Sequence, residues 1–379
     1  MKLLIDDAIP YAQAMFTHLG QVTLMPGRDI QNRHLKKIDA LIIRSRTQIN
    51  AQLLNNTPVQ FIGSTVVGLD HIDLDYLKQR KLYFYSAQGC NANSVAEYII
   101  TALFALAETQ QISLLKSPAP DTNPLTLGII GVGNVGKKLQ QKAQILGWQC
   151  LLNDPPRQQA EPQTRNHFVS LEQALTADII SLHTPLTQQG KYPTLHLINA
   201  QHLQKLQPHQ ILINAARGGI IDETAWLEAH TQANIIDCWQ NEPNIHPQLH
   251  KQANIATPHI AGHSLDAKIA GTEKVYQALC QFCGQTPQTD WQQQLPPPPP
   301  PIQIDPQQPL QSQIHQALLK AYPIWHDHQA LQPYSLAPTL FENYRRHYPI
   351  RREWHQHSYQ SPTPIPLLNQ LGFQHTIIK

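Results

Sequence analysis

The chain has 379 residues, which at roughly 150 residues per domain predicts two or three domains, each able to bury a core. Its 28 basic and 26 acidic residues leave a formal charge of +2 without a basic stripe, which argues against a nucleic-acid partner, and no stretch reaches the ~18 consecutive apolar residues of a membrane span. Five irregularly spaced cysteines do not describe a disulfide framework, and the chain enters the strand-like KLLID with no leader ahead of it, so a soluble, cytoplasmic protein with reduced thiols is expected.

From Met1 to Ser86 short apolar runs (KLLID, DALIIRS, VQFIGST, LYFYS) alternate with amphipathic stretches (YAQAMFTHLG, DLDYLKQR). Such alternation predicts a parallel sheet covered on both faces, with any ligand at the carboxyl ends of its strands. Two loops stand there: Arg44-Ser45-Arg46-Thr47, and Gly63 to Asp73, whose small residues can aim backbone amides at a carboxylate. Ordinary surface turns with solvated arginines would look the same. Asn93 to Ser113 reads as a long helix, N-capped by Asn93 or Ser94 and apolar on more than one face, hence buried between layers. Pro118 to Pro124 is a proline-rich connector.

Leu125 to Asp154 then carries GVGNVG between an apolar run and a helical segment, followed by a second apolar run ending in an acid. In a β-α-β unit Gly131 permits the turn out of the strand, Gly133 lets the backbone approach a pyrophosphate, and Gly136 lets helix and sheet close up. The helix N-terminus favours an anion. Asp154 can accept the adenosine ribose hydroxyls and would repel a 2′-phosphate, which selects NAD over NADP, although Arg157 in the same turn could receive a phosphate.

Three further strand ends follow. ADIISLHT ends at His183-Thr184, QILINAARGG at Ala216-Arg217-Gly218, and NIIDCWQNEP carries Asp237 and Glu242, after which NIATPHIAGH delivers His259. An imidazole takes or gives a hydroxyl proton near neutral pH, Glu242 would orient the ring and stabilise the imidazolium, and Arg217 could bind a substrate carboxylate bidentately while polarising the adjacent carbonyl. The set describes oxidation of a 2-hydroxy acid to a 2-oxo acid. Ser264 to Cys283 is a second long helix returning to the first domain, so that a hinge is expected. Its Cys280 and Cys283 lie on one face with Tyr276 and read as core packing, with no matching His pair or second CxxC to suggest a metal. Beyond the stiff tract Pro296 to Pro301, a Gln-, His- and Pro-rich segment with a helix at Gln311 to Lys320 and the run NYRRHYPIRREW reads as a small C-terminal domain. The expected boundaries are 1–94 with 264–290, 95–263, and 296–379.

GVGNVG, LHTPLT, INAARGGIID, DCWQNEP and TPHIAGHS, in this order, resemble the NAD-dependent D-2-hydroxyacid dehydrogenases. DDAIPYA, PGRDI, IRSRTQIN, LDHIDLDYL, GCNANSVAEY, NDPPR, AGHSLDAKIAGT and YRRHYPIRREW are similar to the erythronate-4-phosphate dehydrogenase branch over nearly the whole chain. The resemblance implies two doubly wound parallel-sheet domains, one flavodoxin-like for substrate and one Rossmann for NAD, plus a small α+β C-terminal dimerisation domain making a homodimer. It implies oxidation of 4-phospho-D-erythronate to (R)-3-hydroxy-2-oxo-4-phosphonooxybutanoate in vitamin B6 biosynthesis, with Arg217, Glu242 and His259 catalytic. Asn134, Val135, Asp154, Thr184, Ala215, Ala216, Arg217, Asp237 and Gly262 match NAD contacts, and Ser45 a substrate contact. Where the branch has threonine this chain has Val66, with Thr65 just before it, and where it has tyrosine after Gly262 this chain has His263, a ring whose charge varies with pH. Arg44 beside Ser45 is the favoured phosphate ligand, over Arg345, Arg346, Arg351 and Arg352. Other readings are a phosphoglycerate or glycerate dehydrogenase and a non-catalytic NAD(H)-sensing dimer.

Overall fold

A computed structural model describes residues 1–115, 124–335 and 339–377. Most of the expected connector at Pro118 to Pro124 lies outside them. In chain order the elements begin with β1 (Lys2–Asp6), α1 (Ala12–Phe16), β2 (Gln21–Met25), β3 (Ala40–Ile43), α2 (Ala51–Leu54), β4 (Phe61–Ser64), α3 (Leu74–Gln79) and β5 (Tyr83–Ser86). Next come α4 (Ala92–Gln110), β6 (Thr126–Ile130), α5 (Asn134–Ile145), β7 (Gln149–Asn153), α6 (Pro155–Ala160), α7 (Leu171–Ala174) and β8 (Ile179–Leu182). Then follow α8 (Ala200–Leu203), β9 (Ile211–Asn214), α9 (Glu223–Trp226), β10 (Ala233–Ile236), α10 (Pro247–Gln252), β11 (Ile255–Ala256) and α11 (Leu265–Cys283). The C-terminal part holds β12 (Ile302–Gln303), α12 (Leu310–Ala321), α13 (Ile324–Leu331), α14 (Leu340–Arg346), β13 (Ser358–Gln360), α15 (Pro366–Leu371) and β14 (Gln374–Thr376).

The chain divides into two compact units, Met1–Asn91 with Ser264–Pro297, and Ala92–His263 with Pro298–Lys379. In the first, five parallel strands run in the order β2-β1-β3-β4-β5, the flavodoxin-like order. Successive side chains of β1 face opposite sides of this sheet: Leu3 and Ile5 join a core with Phe16, Phe61, Val275 and Leu279, while Leu4 joins Leu41, Ile62 and Leu77 on the other. The α11 helix belongs to the first of these layers. Ser264 Oγ caps its start by accepting the Ala267 amide at 2.9 Å, and Gly284, at φ 66°, ends it. Cys280 is buried in that layer with Tyr276, as the helical spacing predicts. The strand β2 was not foreseen: it is an edge strand with mostly exposed side chains, so it lacks the apolar run that marks β1, β3 and β4.

In the second unit six parallel strands run β11-β10-β9-β8-β6-β7. The order reverses between β6 and β8, and Gly131 follows β6 at that switch point. The α4 helix, beginning at Ala92 and ending at Gln110, three residues short of the expected end, is buried along most of its length, which its apolar residues on more than one face require. From Ile302 onward Ile314, Leu318, Tyr322, Trp354, Tyr359 and Leu368 continue the same hydrophobic cluster that holds α4, Leu127, Ile129 and Ile213. Packing therefore joins the C-terminal helices and the small parallel sheet β12-β13-β14 to the nucleotide sheet.

Candidate active site

The three glycines after β6 meet three different surroundings. Gly131 has φ +89°, and a Cβ there would stand 2.7 Å from the His183 carbonyl carbon, so the turn requires glycine. A Cβ at Gly136 would stand 2.3 Å from the Gly131 oxygen, whereas at Gly133 nothing lies within 4 Å. That open space faces the start of α5, which has no side-chain cap and so presents unpaired amides. Thr184 Oγ1, after β8, is buried with no hydrogen-bond partner among the described residues. A cradle without a Cβ, a helix end without a cap and an orphaned hydroxyl fit a dinucleotide.

Asp154 caps α6 through Oδ1, accepting the Arg157 amide at 3.1 Å, while Oδ2 accepts the Val132 amide at 2.8 Å. A carboxylate retains further lone pairs after two such bonds. Arg157 is held away from a phosphate-binding role: Nε and Nη2 donate to Glu161 at 2.8 and 2.7 Å, and Nη1 donates to the Val132 carbonyl at 2.7 Å.

Because every strand of the sheet is parallel, the loops after β9, β10 and β11 leave from one edge. At the end of β9, Asn214 Nδ2 donates to the carbonyls of Arg217 at 3.0 Å and Cys238 at 3.2 Å, and its Oδ1 accepts the Ala216 amide at 3.2 Å. It thereby ties the Ala215-Ala216-Arg217 turn to the next loop. Gly218 allows the approach, since a Cβ would meet the Trp239 oxygen at 1.9 Å. Arg217 is half-buried, with Nη1 donating to the Ala216 carbonyl at 2.8 Å.

Glu242 and His259 form a direct pair. His259 Nδ1 lies 2.8 Å from Glu242 Oε2 and 3.1 Å from Oε1, and the Trp239 amide donates to Oε1 at 2.9 Å. Burial pushes the Glu242 carboxyl up, yet the charge and hydrogen bond of His259 with the Trp239 amide hold it below its ordinary value. An ionised carboxylate only accepts hydrogen bonds, so Nδ1 carries the hydrogen and Nε2 is left to face a reacting hydroxyl. His259 itself has φ 54°, a conformation a non-glycine residue keeps only when its surroundings over-determine it. They do: its amide donates to the Asp237 carbonyl at 2.8 Å, and the Asp237 carboxylate accepts Thr257 Oγ1 at 2.6 Å and the amides of Ile260 and Ala261 at 2.8 and 3.0 Å. Tyr98 on α4 continues the chain, its hydroxyl 2.7 Å from Thr257 Oγ1. Burial raises the Asp237 carboxyl, against the pull of His259 and of the bonds it accepts. Thr257, Tyr98 and Asn214 were missed in the sequence; only Asn214, a polar residue ending the run ILIN, left a signal there.

Cys238 Sγ, a Glu242 oxygen and a His259 nitrogen lie within 4.8 Å of one another, a spacing that could admit a cation. Burial pushes the Cys238 thiol well above its ordinary range, and Glu242 and His259 are hydrogen-bonded to each other at 2.8 Å, an arrangement suited to proton transfer.

Among the other expected residues, Gly262 and His263 follow in the same loop, and the His263 ring stands edge-on to Tyr348 at 5.7 Å. In the first unit Arg44 and Ser45 follow β3, with Arg44 Nη1 3.4 Å from the Ala8 carbonyl and Ser45 exposed. Thr65 is buried, and its hydroxyl donates to the Ile43 carbonyl at 3.3 Å. The half-buried Val66 accepts Ser86 Oγ at its carbonyl, at 3.1 Å.

The model of the D-isomer specific 2-hydroxyacid dehydrogenase NAD binding domain matches residues 105–261. An erythronate-4-phosphate dehydrogenase from Hydrogenovibrio crunogenus is 54% identical over 377 residues, covering 98% of both chains. The chain belongs to the erythronate-4-phosphate dehydrogenase family. A second such protein, from Ruthia magnifica, is 45% identical over 97% of this chain and 100% of its own. Among solved structures, the NAD-bound 3-phosphoglycerate dehydrogenase of Entamoeba histolytica matches with a TM-score of 0.59 at 24% identity, over 76% of this chain and 96% of that one. A glyoxylate reductase from Paecilomyes thermophila matches with a TM-score of 0.59 at 21% identity, over 77% and 99%. These two share the fold. Members of the family are NAD-dependent dehydrogenases, and NAD is the cofactor of this chain. No helix among the described residues is long and apolar enough to cross a membrane.

Proposed function

We propose that this chain oxidises the 2-hydroxyl of 4-phospho-D-erythronate to (R)-3-hydroxy-2-oxo-4-phosphonooxybutanoate, a step in vitamin B6 biosynthesis. The observation that carries the reading is the His259–Glu242 pair, set with Nδ1 toward the carboxylate at 2.8 Å in a chain 54% identical to a protein named for that substrate. NAD, held at the Gly131–Gly136 turn, would supply the hydride acceptor for C2. His259 Nε2 takes the hydroxyl proton, and Glu242 stabilises the imidazolium that results. Arg217 binds the substrate carboxylate and polarises the forming carbonyl. Gly131, Gly133, Asn134, Val135, Gly136, Asp154, Thr184, Ala215, Ala216, Asp237 and Gly262 are the residues we assign to the cofactor. Arg44 and Ser45, the Thr65-Val66 turn and His263 are those we assign to the phosphorylated acid. We further assign the C-terminal segment to a homodimer contact and the protein to the cytoplasm.

Turnover of 4-phosphoerythronate with NAD, compared with 3-phosphoglycerate and glycerate, tests the reading. The first acid should be strongly preferred, and His259→Ala should remove at least about a hundredfold of turnover while NADH still binds. A preference for either of the other acids would replace it. Arg44→Ala should raise the KM for 4-phosphoerythronate much more than it lowers kcat, since it removes a contact shared by ground and transition states; equal loss in both would assign Arg44 another role.

A further inference from the structure

The loop bearing His259 is held on its amide side by Asp237, and its carbonyl side has a separate partner. Arg351, 8% exposed, donates from Nη2 to the carbonyl of Ala261, two residues beyond the catalytic ring. Its guanidinium carbon lies 4.4 Å from the centre of the Tyr322 ring and 6.0 Å from that of Tyr348. Those two tyrosines are fixed in turn: Tyr322 and Tyr348 both donate to Asp327 Oδ2, at 2.5 and 2.8 Å, and Tyr344 donates to Oδ1 at 2.6 Å. Tyr348 also carries the edge-on contact with His263. A neutral donor would satisfy one loop carbonyl. A cation lying over the Tyr322 ring, with the Tyr348 ring also within reach, does more, because cation–π contact restricts where the guanidinium and its N–H groups can sit.

We propose that Arg351 is a positioning residue for proton transfer, holding the Thr257–His263 loop through Ala261 so that His259 keeps its left-handed backbone and its ring stays on Glu242. The proposal rests on the reading of His259 as the proton acceptor. It also explains why the run YRRHYPIRREW lies against the nucleotide-binding unit: part of it completes the active-site loop of the same chain.

The test compares Arg351→Met, Arg351→Lys and Tyr344→Phe in the full-length protein saturated with NADH. Three readouts serve: the melting temperature, the downfield proton resonance of the His259 Nδ1–H (assigned by its absence in His259→Gln), and steady-state kinetics. Arg351→Met should broaden or abolish the resonance and lower kcat by about ten- to a hundredfold, with the KM for NAD changed by no more than about twofold. Arg351→Lys, which can donate but cannot stack as a plane, should fall between, with the resonance present but shifted. Tyr344→Phe loses a bond to Asp327 without touching the loop, and should lower the melting temperature while leaving resonance and kcat as they were. Unchanged resonance and kcat in Arg351→Met would overturn the proposal, as would Tyr344→Phe reproducing its losses. If Arg351→Met does not fold, a wild-type resonance and kcat in Arg351→Lys would overturn it equally. Wild-type protein that oxidises none of the acids would sink the reading of the reaction, whereas the resonance needs no substrate and still decides the role of Arg351.

Discussion

Which nitrogen of His259 carries hydrogen decides whether the ring can accept a proton from substrate, and Glu242 makes that decision. Glu242→Gln keeps the shape and can keep the Trp239 amide bond, but its amide group can present N–H to Nδ1. The hydrogen then moves to Nε2, the wrong side for accepting a proton. We expect kcat to fall by about a hundredfold or more, with NADH affinity unchanged by fluorescence titration; a variant with wild-type kcat would remove Glu242 from the mechanism. Arg217, Glu242 and His259 stand out in the sequence as candidates because their chemistry resides in residue type and each follows an apolar run, and the structure pairs two of them, His259 with Glu242. Asp237 stands out in the sequence as a cofactor candidate, and its bonds to the His259 loop do not. Its oxygens are occupied by Thr257 and two amides of the His259 loop, and such a network among separated positions leaves no local pattern in a sequence.

At the level of elements the GVGNVG turn shows how one residue type serves distinct ends. A Cβ at Gly136 would collide with the backbone oxygen of Gly131, and backbone cannot swing aside as a flexible side chain can. Gly136→Ala should therefore lower stability by about 1–3 kcal/mol, seen as a lower denaturation midpoint even without cofactor. Gly133→Ala meets open space and should leave that midpoint nearly unchanged while weakening NADH binding, because the methyl occupies the cradle. Equal effects of the two on stability would contradict the division of roles. The strands around this turn were readable because both sheet faces are covered, which makes their sequences continuous apolar runs. The same logic hid β2, whose side chains are largely exposed. It also hid α6, where a Pro-Pro pair sits at the first helical positions; there proline costs no hydrogen bond, and the capping Asp154 supplies the start.

Over the whole molecule, two doubly wound sheets followed from the alternation of apolar runs and amphipathic stretches, and the return of α11 to the first unit followed from its length and position. The packing of the C-terminal segment did not follow. Its Gln-, His- and Pro-rich composition conceals scattered apolar residues whose partners on α4 become neighbours only after folding. Buried acids in such a body couple its stability to pH, and Glu223 is the clearest case. Its carboxylate accepts the Gln240 amide at 2.5 Å, in the loop that leads to Glu242. Burial, aided by the charge of Glu242 and opposed by that amide, raises it from the ordinary 4.5 to about 7. The folded state therefore binds more protons than the unfolded state between these values, so stability is greatest below about pH 4.5 for this group and declines as pH rises through about 7. The full difference is on the order of 3 kcal/mol. Glu223→Gln keeps an oxygen for the Gln240 amide and does not titrate. Relative to wild type, its melting temperature should rise by several degrees between about pH 5 and 8, and parallel curves for the two proteins over that range would show that Glu223 ionises without cost in the fold.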